Sequence, residues 1–189
     1  FARIMNLFVA VCMAAFLVVM LFLDLFKWFI PNPAYHEGLR VVPILMLANV
    51  FLGIYYNQSV WYKLTDRTHV GGTISLIGAG ITIALLFALI PRMGYMGAAW
   101  TTLICYASMA AISYGWGQRH YPIPYNVGRV LSYMAGAVFL WWACDASAAL
   151  GVTGPVGSAG QYVLRSVLLG GYLWVAWRLE GSALRPLTP

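Results

Sequence analysis

Four stretches of this chain, Ile4–Leu23, Val41–Tyr62, Val70–Pro91 and Met93–Gln118, contain no charged residue. Each is long enough to cross the hydrocarbon core of a bilayer, which takes about 20 mainly apolar residues as a helix. Val130–Leu150 and Tyr162–Trp177 have the same character with one charge each, Asp145 and Arg165. Lipid offers no hydrogen bonds to an open backbone, so such segments have to be helices. The expectation is an all-α, polytopic transmembrane helix bundle of about six spans.

Composition sharpens this. The chain is 62% hydrophobic and 8% charged, against roughly 25% charged residues in a soluble domain. Its net charge of +6 therefore speaks of topology and contact with membrane lipids rather than of nucleic acid, which is not expected as a partner. Cys12, Cys105 and Cys144 stand singly inside the expected spans and lack the paired spacing of a metal or redox motif. The chain opens at Phe1 and enters its first span without an initiator Met or a signal peptide. The reading is the carboxy-terminal part of a longer protein, or an incomplete reading frame.

Orientation follows from Lys and Arg. Arg3, Lys63, Arg67, Arg119, Arg129, Arg178 and Arg185 fall on one side, and Lys27, Arg40, Arg92 and Arg165 on the other. The richer side is expected to be cytoplasmic, with both ends of the chain inside. Trp28, Trp61, Tyr62, Tyr95, Trp116, Tyr121, Tyr125, Trp174 and Trp177 gather at the span boundaries as an interfacial belt. In the fourth span Ala107, Ala111 and Gly115 repeat every four residues, preceded by Ala99 and Thr102, a pattern that lets helix backbones approach. Spans three and four, joined by the short Pro91–Gly94 turn, should form a close antiparallel hairpin.

The second span is the most polar. On a continuous helix Asn49, Gly53, Tyr56 and Lys63 share one face, and Asn57 lies beside it. An Asn facing lipid leaves its amide unpaired, so this face should look into the bundle or a wet cavity. It reads either as a cavity wall offering hydrogen bonds to a sugar-rich substrate or as interhelical glue. Pro43 is placed to kink the helix near its outer start. Asp24 and Lys27, three residues apart, can pair. Asp145 and Arg165 have matching depths in spans five and six, which predicts a contact between them, with snorkelling to the interface as the alternative.

Catalysis finds little support. His36, His69 and His120 all lie in connections without metal-ligand spacing. The glycines of 151–160 lack the Gly-Lys-Ser/Thr ending of a phosphate loop, and no activated serine or carboxylate pair is present. Neither an enzyme nor a cofactor is expected.

The run VVPILMLANVFLGIYYNQSVWYKLTDRTHVGG (41–72), with IPRMGYMGAAWTT (90–102) and GQRHYPIPY (117–125), resembles the later half of bacterial polysaccharide exporters of the O-antigen flippase type. The resemblance implies residues 1–125 as four spans of the exporter's second lobe and 126–189 as two appended helices with a short cytoplasmic tail. It implies two six-helix lobes around a cavity that opens alternately to either side of the bacterial inner membrane. The implied substrate is an oligosaccharide linked through diphosphate to a polyprenyl lipid. The implied partners are that lipid-linked oligosaccharide, the amino-terminal lobe of the same protein and polysaccharide polymerase machinery. Asn49, Tyr56, Asn57 and Lys63 then become cavity or gate candidates, with Arg40 at the outer end of the same helix.

Three other readings remain open at this point. A multidrug or cation antiporter of the same superfamily wants a central acid, and Asp24 and Asp145 are not central. A membrane enzyme acting on lipid-linked sugars wants a loop cluster of acids and histidines. An assembly subunit of polysaccharide synthesis needs neither.

Overall fold

In a computed structural model, which describes residues 2–23, 33–120, 125–149 and 157–181, the chain is all-α. Helix α1 is Ala2–Leu21. A 3-10 helix, Pro33–Val41, leads into α2 (Val42–Gln58), followed by the short α3 (Val60–Leu64), α4 (Thr68–Met93), α5 (Tyr95–His120), α6 (Val127–Ala149) and α7 (Gly157–Gly181). No strand occurs among the described residues.

Among the described residues, five helical stretches are long and apolar enough to cross a membrane: Arg3–Leu21, Glu37–Leu64, Thr68–Met93, Tyr95–His120 and Val127–Ala146. The expected sixth span does form a helix, α7, of 25 residues. It is not among the five, because Arg165, Arg178 and the Gly170-Gly171 pair dilute its apolar character.

The helices form two compact units. One is Ala34–Tyr125, in which α5 packs against both α2 and α4. The other brings α1 together with α6 and α7. The chain passes from one unit to the other between Tyr125 and Asn126, and the first span packs with the last two helices. In this second unit α1 buries Met5, Val9, Met13, Phe16, Leu17 and Met20, a repeat of three and four residues that makes one helical stripe. Phe16 meets Trp141 of α6 edge-on, with ring centroids 6.2 Å apart. Residues 24–32, which include Asp24 and Lys27, lie outside the described residues, as do Tyr121 and Arg185.

The expected hairpin of spans three and four is α4–α5. Its turn is narrower than Pro91–Gly94: Pro91 stays inside α4, and Gly94 alone reverses the chain at φ 56°. That dihedral favours glycine, which has no Cβ to clash. The hairpin closes on a different face of α5 from the one Ala107, Ala111 and Gly115 suggest. Ala111 and Gly115 are exposed, and Gly97, Thr101, Cys105, Met109, Ser113 and Gly117 are buried at strict four-residue intervals. A Cβ on Gly97 would lie 2.6 Å from the Leu89 carbonyl oxygen, and one on Gly78 would lie 2.6 Å from Met109 Sδ. The Cys105 thiol donates to the Gly78 carbonyl oxygen at 3.4 Å, and Thr101 satisfies its own hydroxyl on Gly97 O at 2.8 Å.

Candidate functional site

The second span is divided at Ser59 into two helices, although Ser59 itself keeps helical dihedrals (φ −63°, ψ −15°) and its i−4 hydrogen bond. Helix α2 ends at Gln58 and α3 begins at Val60. Ser59 joins them: its N–H donates to Tyr55 O (2.9 Å) and Tyr56 O (3.2 Å), and its hydroxyl donates to Tyr56 O at 2.7 Å. A hydroxyl that holds a carbonyl of the preceding turn competes with the helical ladder. Pro43 makes no kink, because it sits in the first turn of α2, where the missing N–H has no intrahelical partner to lose.

Beside Ser59 opens a cleft of about 490 Å³ within the Ala34–Tyr125 unit. Its walls include Tyr55, Tyr56, Ser59, Tyr62 and Lys63 from the second span, Thr68, Gly71 and Ser75 from α4, and Tyr106 and Met109 from α5. The hydroxyls of Tyr62 and Tyr55 are 3.3 Å apart, and the Tyr55 and Tyr56 rings lie tilted at 5.7 Å. Gly71 makes room for this arrangement, since a Cβ there would come within 2.8 Å of the Tyr62 ring. Tyr55 and Tyr62 are buried, whereas Tyr56 is 59% exposed and Lys63 is also exposed. Aromatic faces, hydroxyl donors and acceptors, and one ammonium thus converge on an otherwise apolar helix group. Such a surface can stack on a ring bearing hydroxyls and attract an anion, and it offers no nucleophile paired with a base.

Of the residues singled out from sequence, Tyr56 and Lys63 line this cleft, and Asn49, Asn57 and Arg40 do not. Asn49 is exposed, and its Nδ2 donates to the Leu45 carbonyl oxygen at 2.8 Å. One of its amide N–H groups is thus bonded within its own helix. Asn57 is half-buried, and Arg40 is exposed on the 3-10 helix. Tyr56 and Lys63 stand on the cleft side of the span, on either side of Ser59. Asp145 is exposed on α6, and the Arg165 guanidinium lies over the Tyr162 ring, 5.7 Å from its centroid. Trp61 and Tyr62 are no part of an interfacial belt; they are 3% and 5% exposed.

Sequence reasoning did not name Tyr55, Ser59, Thr68, Ser75 or Tyr106 as parts of the site. One signal was present: Gly71 stands one helical turn and a tight connection after Tyr62, as a small residue opposite a large ring requires. No protein family, curated protein or solved structure matches this chain.

Proposed function

We propose that the chain belongs to a polysaccharide exporter, a transporter that moves polyprenyl-diphosphate-linked oligosaccharide across the bacterial inner membrane by alternating access. The cleft is the observation that carries this reading. Its tyrosine and hydroxyl groups suit a sugar, and Lys63 suits the diphosphate that joins sugar to lipid. A span divided beside a ligand surface suits an element that rearranges as access alternates. The five membrane-length helices supply the setting, and the excess of basic residues on one side of the spans favours cytoplasmic ends for the chain. In this reading Tyr56 and Lys63 contact substrate, Tyr55 and Tyr62 hold each other in place behind them, and Arg40 stands apart from the cleft.

The test is surface polysaccharide made by cells that carry the gene with Lys63→Gln or Tyr56→Ala, with Arg40→Gln as the control. Lys63→Gln and Tyr56→Ala are each expected to cut surface polymer at least about tenfold, as losing a charge-assisted or stacking contact of about 1.4 kcal/mol or more would. Arg40→Gln leaves polymer unchanged. Normal polymer from both cleft variants at normal protein levels overturns the reading.

A further inference from the structure

Gln58 and Trp61 flank Ser59 in the second span, and Ser113 lies on α5. They are 4%, 3% and 0% exposed. Gln58 Oε1, Trp61 Nε1 and Ser113 Oγ have no hydrogen-bond partner among the described residues. None of the three lines the cleft. Buried polar atoms in folded proteins are nearly always paired, and leaving one unpaired costs more than an ordinary hydrogen bond returns.

These atoms share one neighbourhood. A Cβ on Gly117 would lie 3.0 Å from Trp61 Nε1, so the indole rests directly on that turn of α5. The His120 ring covers Trp61 in a stack at 6.1 Å and 10°. Helices α2 and α5 pack along each other, and α3 continues α2 with helical dihedrals at Ser59. The register that sets Trp61 on Gly117 sets Gln58, about one turn earlier, at the level of Ser113. The contrast with Thr101 is informative. On the same face of α5, Thr101 turns its hydroxyl back to its own helix, and Ser113 does not.

The chemistry of the set is narrow. The indole N–H only donates, the amide oxygen only accepts and the serine hydroxyl does either, with no formal charge among them. Such a set, a donor beside an acceptor, favours a small neutral molecule that both donates and accepts. Water does this, and buried waters make about three hydrogen bonds to otherwise unsatisfied groups. We propose that Gln58, Trp61 and Ser113 bind an internal water that ties the second span to α5 on either side of Ser59. The site fixes how the span seats on α5 and, through it, where Tyr62 and Lys63 stand in the cleft. It holds whatever the cleft carries.

Thermal unfolding of the purified protein in detergent tests the site by the sign of an effect. If Ser113 Oγ holds water, Ser113→Ala lowers the melting temperature by about 2–4 °C. Gln58→Leu lowers it too, and the double variant loses less than the sum, because both act through one molecule. If the hydroxyl is dry, removing it relieves an unpaired group and the melting temperature holds or rises. That result, or strict additivity, overturns the proposal. Should the variants not fold, radiolytic hydroxyl labelling of the unaltered protein decides. Fast oxidation of the buried Trp61 supports a neighbouring water, and protection equal to that of a dry core overturns it.

Discussion

The two units hold their helices together by opposite means. In the unit of α1, α6 and α7, the face that α1 buries is made of large side chains, among them Met13, Phe16 and Leu17, each fully enclosed. In the Ala34–Tyr125 unit, the seam along α5 runs through Gly97, Thr101, Cys105, Met109, Ser113 and Gly117. Lipid tails are as apolar as leucine, so burying apolar surface does little to bring membrane helices together. What remains is dispersion and hydrogen bonding. Large side chains obtain dispersion by interlocking, and they can repack around a change of shape. Where glycine meets backbone, as Gly97 does at the Leu89 carbonyl, dispersion comes from backbone proximity and there is no side chain to rearrange. One unit should therefore tolerate substitution where the other does not.

The largest effect is expected from Gly97→Ala. The new methyl would sit 2.6 Å from Leu89 O and 2.8 Å from the Leu89 carbonyl carbon, both backbone atoms within the hairpin. Neither can move without opening α4 from α5, so a loss of about 3 kcal/mol, the upper range for overpacking, is expected. Thermal melting in detergent measures it. A melting temperature equal to the parent's would show that the seam yields, and the contrast between the units would lose its basis.

A smaller effect is expected from Met13→Leu in the other unit. Met13 is 0% exposed, yet the exchange conserves volume and apolar character, and such exchanges usually cost less than about 1.5 kcal/mol. A loss as large as that of Gly97→Ala would mean that α1 is held as rigidly as α5, and the two seams would not differ in kind.

How much of this was legible in the sequence follows from which forces leave a local trace. Spans leave one, because a membrane crossing demands an uninterrupted apolar run; the uncharged stretches became α1, the α2–α3 span, α4 and α5. The hairpin was legible from Gly94 and its neighbours. The division at Ser59 was not, because serine inside a span is compatible with an undivided helix and only the hydroxyl's choice of Tyr56 O marks it. Asn49 misled for a related reason: a polar amide in a span implies a partner, and here the partner is Leu45 O of its own helix. Tyr56 and Lys63 were found as site residues because they are polar at a boundary. Tyr62 was read as a belt residue because nothing local records that Gly71 faces it. The pairing of α1 with α6 and α7 joins segments remote in sequence and leaves no mark in either.

The smallest expected effect is also the one that most sharply separates the two faces of α5. Ala107, Ala111 and Gly115 form the small-residue repeat that is most conspicuous in the sequence, but a Cβ on Gly115 meets nothing within 4 Å. Gly115 is exposed in the middle of a long helix, where glycine carries an entropic cost of roughly 0.5–1 kcal/mol relative to alanine. Gly115→Ala is therefore expected to stabilise the protein slightly, raising its melting temperature by about 1–3 °C. The sign is what matters. If Gly115→Ala destabilises instead, that face of α5 touches something in the membrane that the chain alone does not supply. The seam through Gly97 and Gly117 would then be one of two on the same helix.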